Sequence, residues 1–148
     1  MSDMTRPGAS ATLPARAQKF QPVQDIQPLI DQVTGGAPVE KGGIEIELPA
    51  IAENGNSVPL RIRIPSPMTA ADHVAAVRVF AERNPRPAVA TFHLGPQSGR
   101  AEISTRVRLA GTQKVTVLAS LSGNRFRLVQ ADVLVTSAAC LDEALADT

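Results

Sequence analysis

The chain has 148 residues, 43% of them hydrophobic and 20% charged, which suits one soluble domain with a core of its own. Fifteen Lys and Arg against fourteen Asp and Glu leave a formal net charge of +1. That is no basic surplus for neutralising phosphates, and no apolar run approaches the roughly 18 residues of a membrane span, so neither nucleic acid nor a bilayer is an expected partner.

The first residues, Met1 to Phe20, contain Pro7, Pro14, Arg6, Arg16 and Lys19 but no apolar stretch and no adjacent arginine pair. They do not read as an export signal. Residues 1–25 show no periodicity and are expected to form a disordered tail. Ile26, Leu29, Ile30 and Val33 then recur at helical spacing, and Gly35 and Gly36 stand where a helix stops, so one short amphipathic helix is predicted.

From Gly43 the period changes to two. Ile44, Ile46 and Leu48 alternate with Glu45 and Glu47, and Val58, Leu60, Ile62 and Ile64 alternate with Arg61 and Arg63. The turn-forming run Glu53-Asn54-Gly55-Asn56 lies between, so the two segments read as a hairpin with Glu45 and Glu47 facing Arg61 and Arg63 on the solvent side. Further strands are predicted over His73 to Glu82, over Val89 to Leu94, over Ala101 to Leu109 and over Lys114 to Leu121. Two short last strands are expected at Phe126 to Val129 and Val133 to Thr136, after a turn at Ser122-Gly123-Asn124. Asn84-Pro85-Arg86-Pro87 is read as a break. Seven or eight short strands with turn signals between them and no intervening helix predict an all-β, immunoglobulin-like antiparallel β-sandwich. The domain is expected over residues 26–136, with residues 137–148 as a flexible C-terminal arm.

Little in this domain carries chemistry. The acidic residues come singly on alternating faces, so no pair stands out as general acid and base. Gly35-Gly36 and Gly42-Gly43 are turns and not phosphate loops. His73 and His93 are the only imidazoles and sit on different predicted strands without a carboxylate at ligand spacing, so packed or hydrogen-bonded roles are expected for them and no metal or other cofactor is. Four aromatic residues, all Phe (Phe20, Phe80, Phe92, Phe126), nearly exclude base-stacking platforms. No nucleophile motif of the Gly-x-Ser-x-Gly kind occurs, and catalytic residues are not expected. The single cysteine, Cys140, excludes an internal disulfide and stands beyond the last strand, where an isolated thiol reads as a nucleophile or tether.

Several motifs kept in order carry a resemblance. Thr34-Gly35-Gly36-Ala37, the run from Ile51 through Asn54-Gly55-Asn56 to Pro59, Ser66-Pro67-Met68-Thr69, Asp72-His73-Val74, Asn84-Pro85-Arg86-Pro87, Ala90-Thr91-Phe92-His93 and the stretch Ser98 to Leu109 together resemble the SoxY family. The match runs from about Ile30 to Cys140. This family supplies the sulfur carrier of the bacterial Sox thiosulfate-oxidising system, on an immunoglobulin-like sandwich. The resemblance implies covalent carriage of thiosulfate-derived sulfur on Cys140, no enzymatic activity, and a heterodimer with a SoxZ-like β-sandwich chain. It also implies sulfur-oxidation enzymes docking at the arm: a haem enzyme that attaches thiosulfate, a hydrolase that removes sulfate and a sulfur dehydrogenase. A periplasmic location is implied too, reached by co-export with a partner or from a start longer than the one seen; without either, the chain is cytoplasmic.

The arm departs from its family. Where the family ends in Gly-Gly-Cys-Gly-Gly, this chain reads Ala138-Ala139-Cys140-Leu141-Asp142-Glu143 and continues to Thr148. The lost glycines remove backbone freedom and add Cβ bulk. Asp142 and Glu143 beside the sulfur disfavour a thiolate and an anionic adduct. Ser137 opens a segment that reads as a capped helix start, which would put Cys140 in the first turn; so short a helix is expected to form only on a partner. The alternative to a carrier is an interaction module that scaffolds a complex with Cys140 unloaded. A third reading, an enzyme acting through Cys140, lacks a base.

Overall fold

In the computed structural model, which describes residues 22–137, one helix, α1 (Gln27–Thr34), precedes nine strand segments. These are β1 (Val39–Lys41), β2 (Glu45–Glu47), β3 (Ile51–Ala52), β4 (Val58–Ile64), β5 (Val74–Ala81), β6 (Ala88–His93), β7 (Ala101–Val107), β8 (Gln113–Leu121) and β9 (Arg125–Val135). A 3₁₀ turn at Pro96–Ser98 links β6 to β7.

Alternation in the sequence becomes alternation of burial. Along β4 the pattern is strictly buried and exposed by turns, with Val58, Leu60, Ile62 and Ile64 inside. β7 runs antiparallel beside it from Val58 opposite Val107 to Ile64 opposite Ala101, and β2 flanks the other side. The predicted register holds: Glu45 stands opposite Arg63 and Glu47 opposite Arg61. These three strands form the small sheet. The large sheet has the order β1, β9, β8, β5, β6, with β3 also on the β1 side of β9. Val77 and Val79 of β5 and Val115 and Val117 of β8 pack with Leu60 and Ile62 of β4 in one apolar layer between the sheets, all of them 0 or 1% exposed.

The outer face of the large sheet is covered in part by α1. Ile26 and Ile30 bury themselves against Phe80, Leu118 and Phe126, and an eight-residue helix holds because this face docks. Asp25 Oδ1 accepts the Gln27 amide at 3.0 Å. At the other end Gly35, in the left-handed region at φ 65°, returns its amide to the Asp31 carbonyl. Contact with the sheet begins ahead of the helix, where the Gln24 amide donates to the Glu82 carbonyl at 2.8 Å and its side-chain amide to the Asn84 carbonyl at 2.7 Å.

The immunoglobulin-like sandwich stands, with three differences of detail. The two expected last strands are one, β9, because Gln130, Ala131 and Asp132 pair with Thr116, Val115 and Lys114 of β8. Gln130 Nε2 donates to Thr116 Oγ1 at 3.0 Å, so a polar stretch is kept in the ladder by its neighbour. β1 and β3 were not expected and run parallel to β9. The chain between β2 and β4 is therefore no tight hairpin: it crosses from the small sheet to the large one, pairs as β3, and returns. Residues 1–21 of the expected tail, and the arm from Ala138 with Cys140 and its capped turn, lie outside the described residues.

Candidate functional site

Function is expected at Cys140, so the part of the fold to describe is the end where β9 leads into the residues before it. Here the last described residues are fastened one by one. The Leu134 amide donates to the Ala50 carbonyl at 2.9 Å and the Thr136 amide to the Ala52 carbonyl at 3.0 Å. Thr112 Oγ1 accepts the Val135 amide at 2.9 Å. Ser137, the last of them, has its carbonyl bonded by the Gly55 amide at 2.7 Å, and the Gly55 carbonyl in turn accepts the Leu109 amide at 2.8 Å. Gly55 is buried between these two partners. The turn that sequence reading gave to a hairpin thus serves as the seat of the arm.

A second set of bonds holds the same end together. Asn84 is 4% exposed. Its side chain donates to the Arg108 carbonyl at 2.7 Å and accepts from the Ala110 amide at 2.9 Å and from Gln113 Nε2 at 3.1 Å. Gln113, itself buried, takes the Arg83 amide on Oε1 at 2.8 Å. No buried side-chain nitrogen or oxygen among the described residues lacks a partner. One amide therefore ties the loop after β5 to the loop between β7 and β8, directly beside the Leu109 that supports Gly55. Sequence reading registered Asn84 only as part of a Pro-rich break; its burial in a polar loop was invisible without its partners.

Cys140 comes three residues after Ser137, so its Cα stays within about 11 Å of the fastened Ser137 Cα, the span of three extended residues. The root is fixed and the reach is bounded.

The two imidazoles are elsewhere. His73 precedes β5 and His93 closes β6 opposite Ala76, at the end where β9 begins. The length of β5, about 23 Å at 3.3 Å per residue, separates that end from Gly55 and Ser137. His73 Nδ1 lies 3.0 Å from the Thr69 carbonyl, and its amide donates to Ser122 Oγ at 3.0 Å. His73 thus has the hydrogen-bonded role expected of it, whereas His93 is exposed on the sheet edge and is not packed. Among the described residues no group of three His, Cys, Asp or Glu is placed to hold a metal, and no helix is long and apolar enough to cross a membrane. The charges of the small sheet form an exposed ladder: Arg61 with Glu47 at 3.8 Å, and Arg63 with Glu45 at 3.4 Å and Glu102 at 3.5 Å. This ladder sets register and builds no pocket for chemistry.

Comparison with known proteins agrees with this frame. The model of the sulfur oxidation protein SoxY family matches residues 30–140, a stretch that ends on the cysteine. The solved structure of the sulfur carrier protein SoxY from Chlorobium limicola f thiosulfatophilum superposes with a TM-score of 0.63 at 28% identity, over 75% of this chain and 96% of that one. A superoxide reductase (neelaredoxin) from Ignicoccus hospitalis is similar at TM-score 0.57 and 13% identity, over 64% of this chain and 80% of that one. A superoxide reductase from Nanoarchaeum equitans follows at TM-score 0.55 and 11% identity, over 65% and 100%. At such identities the likeness is one of fold. No curated protein matches in sequence. A family match that spans the whole sandwich and a shared architecture with a solved sulfur carrier lead to one conclusion: this chain belongs to the SoxY family, a family of sulfur carriers and not of enzymes.

Proposed function

We propose that the chain carries thiosulfate-derived sulfur covalently on Cys140 and presents it to partner enzymes of sulfur oxidation. The observation that carries this reading is positional. The family match runs to Cys140, and the fold fastens the chain at Ser137, three residues before the sole thiol. The chemistry suits a thiolate. Cys140 sulfur bonds to the sulfane sulfur of thiosulfate to give a Cys–S–S–SO₃⁻ adduct, and the two electrons released pass to the haem enzyme that the family employs. Such a bond is stable to hydrolysis yet open to thiol exchange, as a carrier requires. Water attack catalysed by a partner hydrolase then releases sulfate and leaves sulfane sulfur on the cysteine.

A SoxZ-like chain is the proposed partner and the periplasm the proposed compartment, both by family membership. The test is an intact-mass spectrum of the chain isolated from its native host grown on a reduced sulfur compound, with and without reductant, alongside Cys140→Ser. Sulfur-bearing masses that disappear with reductant and in the variant are expected. One unmodified mass in every sample, with the partner chain present, overturns carriage and leaves the scaffold reading.

A further inference from the structure

At their β6 and β7 edges the two sheets part and leave a cleft, on the end of the sandwich where the arm is rooted. Val89, Ala90 and Val107 line its floor, and Arg86, Arg106 and Arg108 stand around it. Among the described residues no acidic side chain lines it. Elsewhere Arg61, Arg63, Arg100, Arg125 and Arg127 each face a carboxylate, and Arg78 reaches Ser120 Oγ at 3.3 Å. Arg86 and Arg108 have no carboxylate partner among the described residues, and Arg106 reaches only Ser57 Oγ, at 3.2 Å. Three uncompensated positive charges over an apolar floor make a site for an acidic segment with apolar residues beside the acids.

The chain itself supplies such a segment. Residues 138–148 hold Asp142, Glu143 and Asp147, no basic residue, and Leu141 and Leu145. Its root is close by: Ser137 bonds to Gly55, Gly55 bonds to Leu109, and Leu109 follows Arg108. Three strand spacings from β9 to β6 amount to about 14 Å. Asp142 and Glu143, five and six residues past Ser137, reach about 17 and 20 Å when extended. Glycine-flanked arms of the family offer no such acids.

We infer that residues 138–148 dock back into the β6–β7 cleft, with Asp142 and Glu143 set against Arg86, Arg106 and Arg108, so that Cys140 is parked at the body of the sandwich. Docking gives the two acids a purpose. Free in solution they oppose a negative charge on the neighbouring sulfur; neutralised in the cleft they cease to, and an enzyme that presents its own cations to them draws the arm out. The latch is separate from the cargo, and its test uses unloaded protein.

The full ¹⁵N-labelled chain carries a nitroxide on Cys140, and amide broadening is mapped. A free arm broadens the β3 amides, which lie nearer to Ser137, at least as strongly as those of the cleft. A docked arm broadens Ala88, Ala90, Val107 and Arg108 in preference to Ile51 and Ala52. That preference is expected to fall by about fivefold or more in about 1 M salt, where the Debye length is about 3 Å. It is expected to fall likewise in Asp142→Asn/Glu143→Gln and in Arg86→Gln/Arg106→Gln/Arg108→Gln, whose remaining amide shifts report an intact fold. Stronger broadening at β3, or a preference indifferent to salt and to both variants, overturns the proposal. So does broadening of the cleft in ¹⁵N chains by nitroxide-bearing unlabelled ones, which would make a second copy the occupant.

Discussion

The outer face of the small sheet and the arm end of the sandwich both depend on polar groups, in opposite ways. On the sheet face, Glu45, Glu47 and Glu102 meet Arg61 and Arg63 across regular strands, with side chains more than two-fifths exposed. Water competes for each of them, so each pair contributes little and any one can be lost. At the arm end, Asn84 and Gln113 are about 5% exposed and serve backbone groups that no strand ladder satisfies. Removing one there leaves its partners dry and unbonded. The charged residues decorate the fold, and the two buried amides hold the loops that root the arm.

That contrast can be tested in order of size. Asn84→Leu is expected to cost about 3 kcal/mol, because the Arg108 carbonyl, the Ala110 amide and Gln113 all lose a buried partner at once. Chemical denaturation with an unchanged m-value would measure it; a loss below about 1 kcal/mol would mean that water or neighbouring groups replace the amide. Thr112→Val is expected to cost about 1 kcal/mol or less, since it removes the bond from the Val135 amide and a long one to the Val135 carbonyl, both at an exposed position. Its sharper readout is hydrogen exchange: Val135 should lose protection while Val117, in the middle of β8, keeps it. Arg63→Ala, which breaks two exposed ion pairs, is expected to cost no more than about 0.5 kcal/mol, less still in high salt. If Arg63→Ala proved costlier than Asn84→Leu, the order proposed for the two regions would be reversed.

How much of this the sequence revealed follows the same division. The pairing of β2 with β4 was legible to the level of register, because alternation places Ile62 inside and Arg61 and Arg63 outside whatever the rest of the chain does; the pairing of β7 with β4 was not. Helix α1 was legible from its spacing and its Gly35 stop. β9 was read as two pieces because Gln130 and Asp132 interrupt its apolar pattern, and only the ladder with β8 carries it across them. β1 and β3 are too short to show a period, and their parallel pairing with a strand late in the chain is set by tertiary contact. The role expected of Cys140 falls outside the described residues and stands as a proposal. The fastening at Ser137 was not legible: Asn54-Gly55-Asn56 announces a turn, and nothing local tells that Gly55 will bond Ser137 and Leu109.

On the carrier reading proposed above, the bond from Gly55 to Ser137 also decides how the protein meets an enzyme that works on Cys140. A tether of three residues lets the Cys140 Cα stand no more than about 11 Å from the Ser137 Cα. A client with a deeper active site must admit the rounded end of the domain itself, with the Gly55 turn and the loops joined by Asn84 pressed against its rim. Recognition then belongs to the domain as much as to the arm. On that reading, client enzymes are selected first by the depth and shape of their entrance.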